Sequence, residues 1–258
     1  MSNYYHSGYF SSSIFKYDYA AIADAIINQY HPETIIEFGC GTGDLAKALA
    51  VRGVKVEAID GYSIPDFTGI QNIRFTKVDL NNVAATEDFL KLLGRKFDLA
   101  ISIEVAEHLN PAVSESFIRW MTSMADVVVF SAAVPDQDGD GHINCRSRSE
   151  WYQLLKTEKF IIADTLRQNF TGNNQLGLWH QLNIVDYVHK DSVFAKQIDP
   201  VALIDRLIAA ETFAASQCFS HVKKLQHRRW AMNLQPVKFA IQFRNVLTKA
   251  LGKTSIEV

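Results

Sequence analysis

From Tyr17 to Tyr30 the chain places apolar residues at Ala21, Ile22, Ala25 and Ile26, the spacing of a helix with one buried face, and His31-Pro32 ends it. Thr34-Ile-Ile-Glu-Phe then reads as a short buried strand that runs straight into Gly39-Cys-Gly-Thr-Gly. Asp44 to Val51 is helical in pattern, and Val54 to Ile59 is a second strand. Ile73 to Val78 alternates as a third strand, Phe97 to Ile103 forms a fourth, and the apolar run Val127 to Phe130 a fifth. Helical stretches at about 86–93 and 111–124 separate them. A polar loop, Pro135 to Arg148, leads to a helix near Ser149–Lys156 and then to strands at about Phe160–Leu166 and Leu182–Val188. Strands alternating with helices at this spacing predict an α/β fold, a doubly wound parallel sheet covered on both faces.

From Pro200 onward the pattern is helical only. Pro236 sits where a helix can begin, and Phe239, Phe243, Val246, Leu247, Ala250 and Leu251 fall on one face of it. Residues 1–190 therefore read as one α/β domain and 191–258 as a helical extension. That extension is basic: from Thr212 to Ile256 there is no acidic residue, while Lys223, Lys224, Arg228, Arg229, Lys238, Arg244, Lys249 and Lys253 all lie there. Such a tail can pair subunits into a homo-oligomer, make peripheral contact with an anionic membrane, sit beside a phosphorylated glycan, or form an ordinary solvated face.

A length of 258 residues suits one sizeable core plus an appendage, and 48% hydrophobic with 21% charged residues is ordinary for a soluble globular protein. The net charge of −2 gives no global reason to expect a polyanion. Cys40, Cys145 and Cys218 are odd in number and widely spaced, neither a disulfide framework nor a zinc-finger pattern, which points to a reducing cytoplasm. No basic start with an apolar run, and no stretch of about 18 apolar residues, predicts a signal peptide or a transmembrane segment.

The chemistry begins at the glycine loop. Glycines at 39, 41 and 43 let the backbone approach a ligand closely and turn into a helix, whose free N–H groups favour a carboxylate or phosphate. Asp60, at the end of the second strand, lies where an acidic side chain can take both hydroxyls of a ribose. A dinucleotide enzyme is the rival reading, but its third glycine would fall at position 44, which is Asp44.

The segment EFGCGTGDLAKAL resembles motif I of the class I S-adenosylmethionine-dependent methyltransferases. The resemblance covers about residues 15–190 and implies a seven-stranded Rossmann-like sheet with an antiparallel last strand, into which the two late strands fit. It further implies that S-adenosylmethionine is the cofactor. By that likeness Glu37 lies near the methionine amino group, Asp60 binds the ribose, and Gly39, Gly41 and Gly43 cradle the ligand. Val78-Asp79-Leu80 is similar to the next motif, which implies that the Asp79 side chain and the Leu80 backbone N–H meet the adenine.

Glu104, Glu107 and His108 follow the fourth strand, at the carboxyl edge where parallel sheets bind ligands. In one reading Glu104 lines the cofactor pocket and the others cap or solvate the next helix. In the other, Glu104, Glu107, His108 and His142, the last from the loop after the fifth strand, hold a divalent cation such as Mg or Mn that lowers the pKa of a substrate hydroxyl. Without a metal, His108 or His142 can serve as the general base. The segment EVAEHL with a loop histidine is similar to the ubiquinone-pathway O-methyltransferases and the small-RNA 2′-O-methyltransferases, a likeness that implies a metal. Asp136, Asp138, Asp140 and Gly141 match the first half of a calcium loop, but Ser147 stands where a bidentate Glu belongs, so a flexible acidic turn is expected.

Acceptor-side residues are expected from Tyr4, Tyr5 and Tyr9 and from Asn169, Trp179 and His180. FSAAVPDQDGDGHIN with Trp151 and Trp179 looks like methyltransferases of bacterial polysaccharide and natural-product pathways, which implies a glycan precursor or other small hydroxylated metabolite as acceptor. An RNA 2′-O-methyltransferase and a non-catalytic cofactor-fold subunit are the alternatives. The basic tail favours RNA, whereas the absence of an RNA module and the net acidic charge oppose it.

Overall fold

The computed structural model describes residues 17–210 and Phe213, apart from Asp136 and Asp138. Its strands are β1 (Thr34–Phe38), β2 (Lys55–Asp60), β3 (Ile73–Lys77), β4 (Leu99–Ile103), β5 (Val127–Ser131), β6 (Phe160–Ile162) and β7 (Val185–His189). The helices are α1 (Tyr19–Tyr30), α2 (Asp44–Ala50), α3 (Val83–Leu93), α4 (Ser114–Met124), α5 (Arg148–Thr157) and α6 (Leu178–Asn183). The sheet order is β3-β2-β1-β4-β5-β7-β6. β1 to β5 pair in parallel, and β7 runs against both β5 and β6, as expected of the late strands.

The central strands are buried on both faces because successive residues feed two separate cores. Ile36 and Phe38 of β1 with Val128 and Phe130 of β5 pack against Phe117 and Met121 of α4 and Leu155 of α5. Ile35, Val127 and Val129 face the other way, onto Ile22 and Ile26 of α1 and Leu45 and Leu49 of α2. Helix α1 opens on Asp18, whose carboxylate accepts from the Ala21 amide at 3.1 Å, and closes on His31 in the left-handed region (φ 46°) before Pro32.

The late part of the chain departs from the expected bounds. β6 stops at Ile162 rather than near Leu166 because the Ala163 and Asp164 amides both turn to the Asp186 carbonyl, with Asp164 at φ 49°. The amides of Thr165 (2.9 Å) and Leu166 (3.0 Å), the Thr165 hydroxyl (2.6 Å) and the Tyr30 hydroxyl then donate to the fully buried Asp186 carboxylate. Likewise β7 begins at Val185 rather than at Leu182, because residues 178–183 form the short helix α6, opened by Gly177.

The chain divides into two units, 1–210 and 211–258. The first runs past the expected boundary at 190 because Phe194, Ala195 and Ile198 pack on the α1–α2 core and Arg206 donates to the Ala163 carbonyl. The basic helices expected beyond Thr212, apart from Phe213, lie outside the described residues. Among the described residues no helix is long and apolar enough to cross a membrane.

Candidate active site

A cavity of about 570 Å³ opens at the carboxyl ends of the parallel strands. Its floor is the glycine loop between β1 and α2. Gly39, Gly41 and Gly43 all have positive φ (77°, 51° and 76°). A Cβ at Gly39 would sit 2.5 Å from Cγ2 of Val105, and one at Gly43 2.5 Å from the Phe67 ring, so neither position tolerates a side chain. Asp60 holds this loop as well as facing the cavity. One carboxylate oxygen accepts from the Gly41 amide at 2.9 Å, and the other from the Tyr62 and Ser63 amides at 2.8 Å each. About four lone-pair directions are available to a carboxylate, so Asp60 keeps roughly one for a ligand.

Glu37, the fourth residue of β1, lines the same cavity at only 5% exposure, and its Oε2 has no hydrogen-bond partner. Burial first, then the nearby charges of Asp60 and Asp44, push its carboxyl up to about 8. A buried, unpartnered carboxyl oxygen is costly unless a ligand donor completes it. Leu80 and Asn81 line the opposite wall, whereas Asp79 itself is exposed and accepts from the Asn81 amide.

Beyond the glycine loop the four acidic and imidazole candidates separate into two groups. Glu107, His108 and His142 bring one ligand atom each within 4.8 Å of one another. The His108 and His142 rings meet edge to face, with centroids 4.9 Å apart. Glu107 is fully buried, and its carboxyl meets its own backbone amide, the Ala133 amide and the Glu104 side chain. Desolvation, then the neighbouring Glu104 carboxylate, drive its carboxyl well above the usual range. Burial, then the neighbouring His142, depress His108 to about 4, so it is neutral at physiological pH. The Nδ1 of His142 meets the Gln137 carbonyl at 3.2 Å, which makes it the donor and leaves the lone pair on Nε2.

Glu104 touches the trio through Glu107 and is fixed by partners of its own. It sits just past β4 at φ 53°, its amide fixed by the Ser131 hydroxyl at 3.0 Å. Its carboxylate accepts from the amides of Gln137 (2.8 Å) and Asn183 (3.4 Å), and Asn183 also donates to the Gln137 side-chain oxygen at 2.9 Å. This three-way clasp ties the loop that carries His142 to β4 and to α6. Gly139 completes the fit, since a Cβ there would lie 2.1 Å from the His142 ring. Local sequence pattern gave no sign of Gln137 or Asn183.

The outer wall is aromatic. His180 packs edge-on against Tyr17 (centroids 4.5 Å apart) and more loosely against Tyr19, and Trp179 lies beside them at 39% exposure. Desolvation depresses His180 to about 4. Trp179 and His180 thus reach the cavity as expected. Asn169 instead bonds the Thr165 and Leu166 carbonyls and does not line it. Tyr4, Tyr5 and Tyr9 lie outside the described residues, as do Asp136 and Asp138 of the acidic turn. Ser147, the twelfth position of the calcium-loop pattern, is the N-cap of α5 in a capping box with Glu150.

Comparison with known proteins follows the same line. The family described as a methyltransferase domain matches residues 16–174. The ubiquinone biosynthesis O-methyltransferase of Arabidopsis thaliana, a mitochondrial protein, is 36% identical over 87 residues, 30% of this chain. The match spans only 25% of that relative's length. Among solved structures, the Burkholderia thailandensis 1,6-didemethyltoxoflavin-N1-methyltransferase is similar at 16% identity and a TM-score of 0.50, covering 72% of this chain and 84% of that one. The Synechocystis PCC 6803 magnesium protoporphyrin IX methyltransferase is similar at 20% identity and a TM-score of 0.46, covering 66% and 76%. Sheet order, glycine loop and family match agree, and the chain belongs to the methyltransferase-domain family with the class I S-adenosylmethionine-dependent fold.

Proposed function

We propose that this chain transfers a methyl group from S-adenosylmethionine to a hydroxyl of a sugar, a glycan precursor or another small hydroxylated metabolite. The observation that carries the reading is that one cavity joins the glycine cradle, the unpartnered oxygen of Glu37 and the Glu107–His108–His142 trio. The cradle fits the donor because Gly39, Gly41 and Gly43, all at positive φ, turn the loop along the cavity wall where an adenosyl group must approach. Glu37 binds the ammonium of the methionine portion, which supplies the missing partner for its buried oxygen. Asp60 takes a ribose hydroxyl while holding Gly41 in place.

Transfer is an in-line displacement. The methyl–sulfur bond breaks as the methyl–oxygen bond forms, sulfur keeps the electron pair, and the hydroxyl proton must leave. Without a metal, Nε2 of His142, whose lone pair the Nδ1 contact to Gln137 leaves free, receives that proton. A buried carboxyl beside two imidazoles also fits a divalent cation such as Mg or Mn, held by Glu107, His108 and His142, which when bound would acidify the acceptor hydroxyl. The O-methyltransferase named among the relatives supports a hydroxyl acceptor over an amine.

The test is binding first and turnover second. At a hundredfold excess over its Kd, S-adenosylhomocysteine contributes about 2.7 kcal/mol, which raises Tm by roughly 5–10 °C. No shift at all removes the reading. Binding without methyl uptake by any hydroxylated acceptor, with or without added Mg, would instead favour a non-catalytic subunit.

A further inference from the structure

The cavity's charge selects the acceptor. Glu37, Asp44, Asp60, Glu104, Glu107 and Asp140 all line it, and among the described residues no Lys or Arg does. Among the described residues the cation nearest to it in sequence, Lys47 on α2, is turned to Asp44 at 3.6 Å and to the Phe67 ring. The carboxylates act on the same space. Burial first, then Asp60 and Asp44, raise Glu37, and burial first, then Asp44, Glu37 and Glu104 among the carboxylates, raise Tyr19. Glu37 and Glu107, whose carboxyls burial raises, add no fixed charge near neutral pH, so the field is that of Asp44, Asp60, Glu104 and Asp140. A field of this sign favours a sulfonium donor and opposes a second anion brought against it. Beside it His180 is held neutral by burial, so the aromatic wall of Tyr17, Tyr19, Trp179 and His180 carries no fixed cation. Such a wall stacks on the flat side of a ring, aromatic or sugar, and attracts cations rather than anions.

Building on the methyltransferase reading, we propose that the acceptor is an uncharged or cationic ring compound bearing a hydroxyl, stacked on the Tyr17–Trp179–His180 wall, and that phosphate- and carboxylate-bearing molecules are turned away by the carboxylates of the metal-free cavity. Sugar phosphates, nucleotide sugars and nucleic-acid backbones are thereby poor acceptors even where their hydroxyls would fit. The enzyme then acts before a phosphoryl or nucleotidyl group is attached to its substrate, or after that group has been removed.

Saturation-transfer NMR on the full chain, saturated with S-adenosylhomocysteine in EDTA, reads this directly. Two matched sets serve as probes: methyl β-glucoside, glucosamine and glucose 6-phosphate; and 4-methylphenol, tyramine and 4-hydroxyphenylacetate. In at least one set the neutral or cationic member should bind about fivefold or more tighter than the anionic one. Trp179→Ala, at an exposed position, should weaken that binding. The set that binds identifies the ring. An anionic member that binds equally or more tightly, or failure of both sets to bind, overturns the proposal. Loss of the homocysteine product's own thermal shift would instead sink the underlying methyltransferase reading, so the two failures are distinguishable.

Discussion

Glu37 couples stability to pH in a direction opposite to most carboxylates. Its carboxyl stays protonated in the folded protein until about pH 8, against an ordinary value of 4.5. Between those values the unfolded chain binds fewer protons, so stability that is complete below pH 4.5 is lost as pH rises toward 8. At 1.36 kcal/mol per pH unit the loss is on the order of 3 kcal/mol at pH 7 and about 5 kcal/mol by pH 8. Glu37→Gln removes this proton linkage and leaves a pH-independent cost of burying an amide. In urea titrations of the ligand-free protein, the stability of the variant minus that of the parent should climb by about 1.4 kcal/mol per unit from pH 5 to 8. Binding of S-adenosylhomocysteine should move the other way. Its ammonium requires the ionised carboxylate, so affinity for the parent rises toward tenfold per unit from pH 6 to 8, and the variant binds weakly throughout. A stability difference that stays flat across this range, or declines, would refute the reasoning about Glu37.

Three further substitutions probe the parts around it. Gly39→Ala, with its Cβ against Val105 and a positive φ, should cost about 1–3 kcal/mol and abolish product-induced stabilisation; unchanged ligand affinity would mean the cradle is not the donor site. Gln137→Ala opens the clasp and should cost about 1–2 kcal/mol, with faster hydrogen exchange confined to the loop between β5 and α5; unaltered exchange there would show that the clasp does not hold the loop. Asp186→Asn takes a charged acceptor from Tyr30, Thr165 and Leu166 and should cost roughly 2–4 kcal/mol while leaving product affinity nearly intact in the folded protein; a selective loss of affinity would point to a direct role in the site.

How much of this was legible depended on range. β1 to β5 lie where the pattern put them, because the central strands are buried on both faces and read as apolar runs, and the half-exposed β3 alternates. Thr34–Phe38 in particular has the bounds its pattern gave. The error at α6 has a local cause: six residues are too few to display a helical period, and Leu182 followed by apolar Ile184 and Val185 mimics a strand. The end of β6 is decided by Asp186, over twenty positions away, which no window on Phe160–Leu166 can register. At the site, the glycine loop, Glu37 and Asp60 share one strand–loop–helix–strand unit and announce themselves together. His142 could be named as a candidate from its residue type, but its holders could not. Gln137 and Asn183 are ordinary amides whose importance lies in meeting Glu104 across the fold. Tyr17 and Tyr19 read as the start of a helix and turned out to be wall as well.

The return of the loop after β5 is secured by main chain. The amides of Ile143 and Asn144 both donate to the Glu107 carbonyl at 2.9 Å, and the Asn144 side chain binds the Ala106 carbonyl and the Ser114 hydroxyl. The Glu107 carboxyl lies outside those bonds and takes its own from the Ala133 amide at the start of the loop. An amide side chain there can still accept from Ala133, so the acid can be exchanged for it with His142 still delivered to its place. Nature and the protein engineer alike can thus vary the acid at this spot, and with it the chemistry on offer, without reopening the problem of folding.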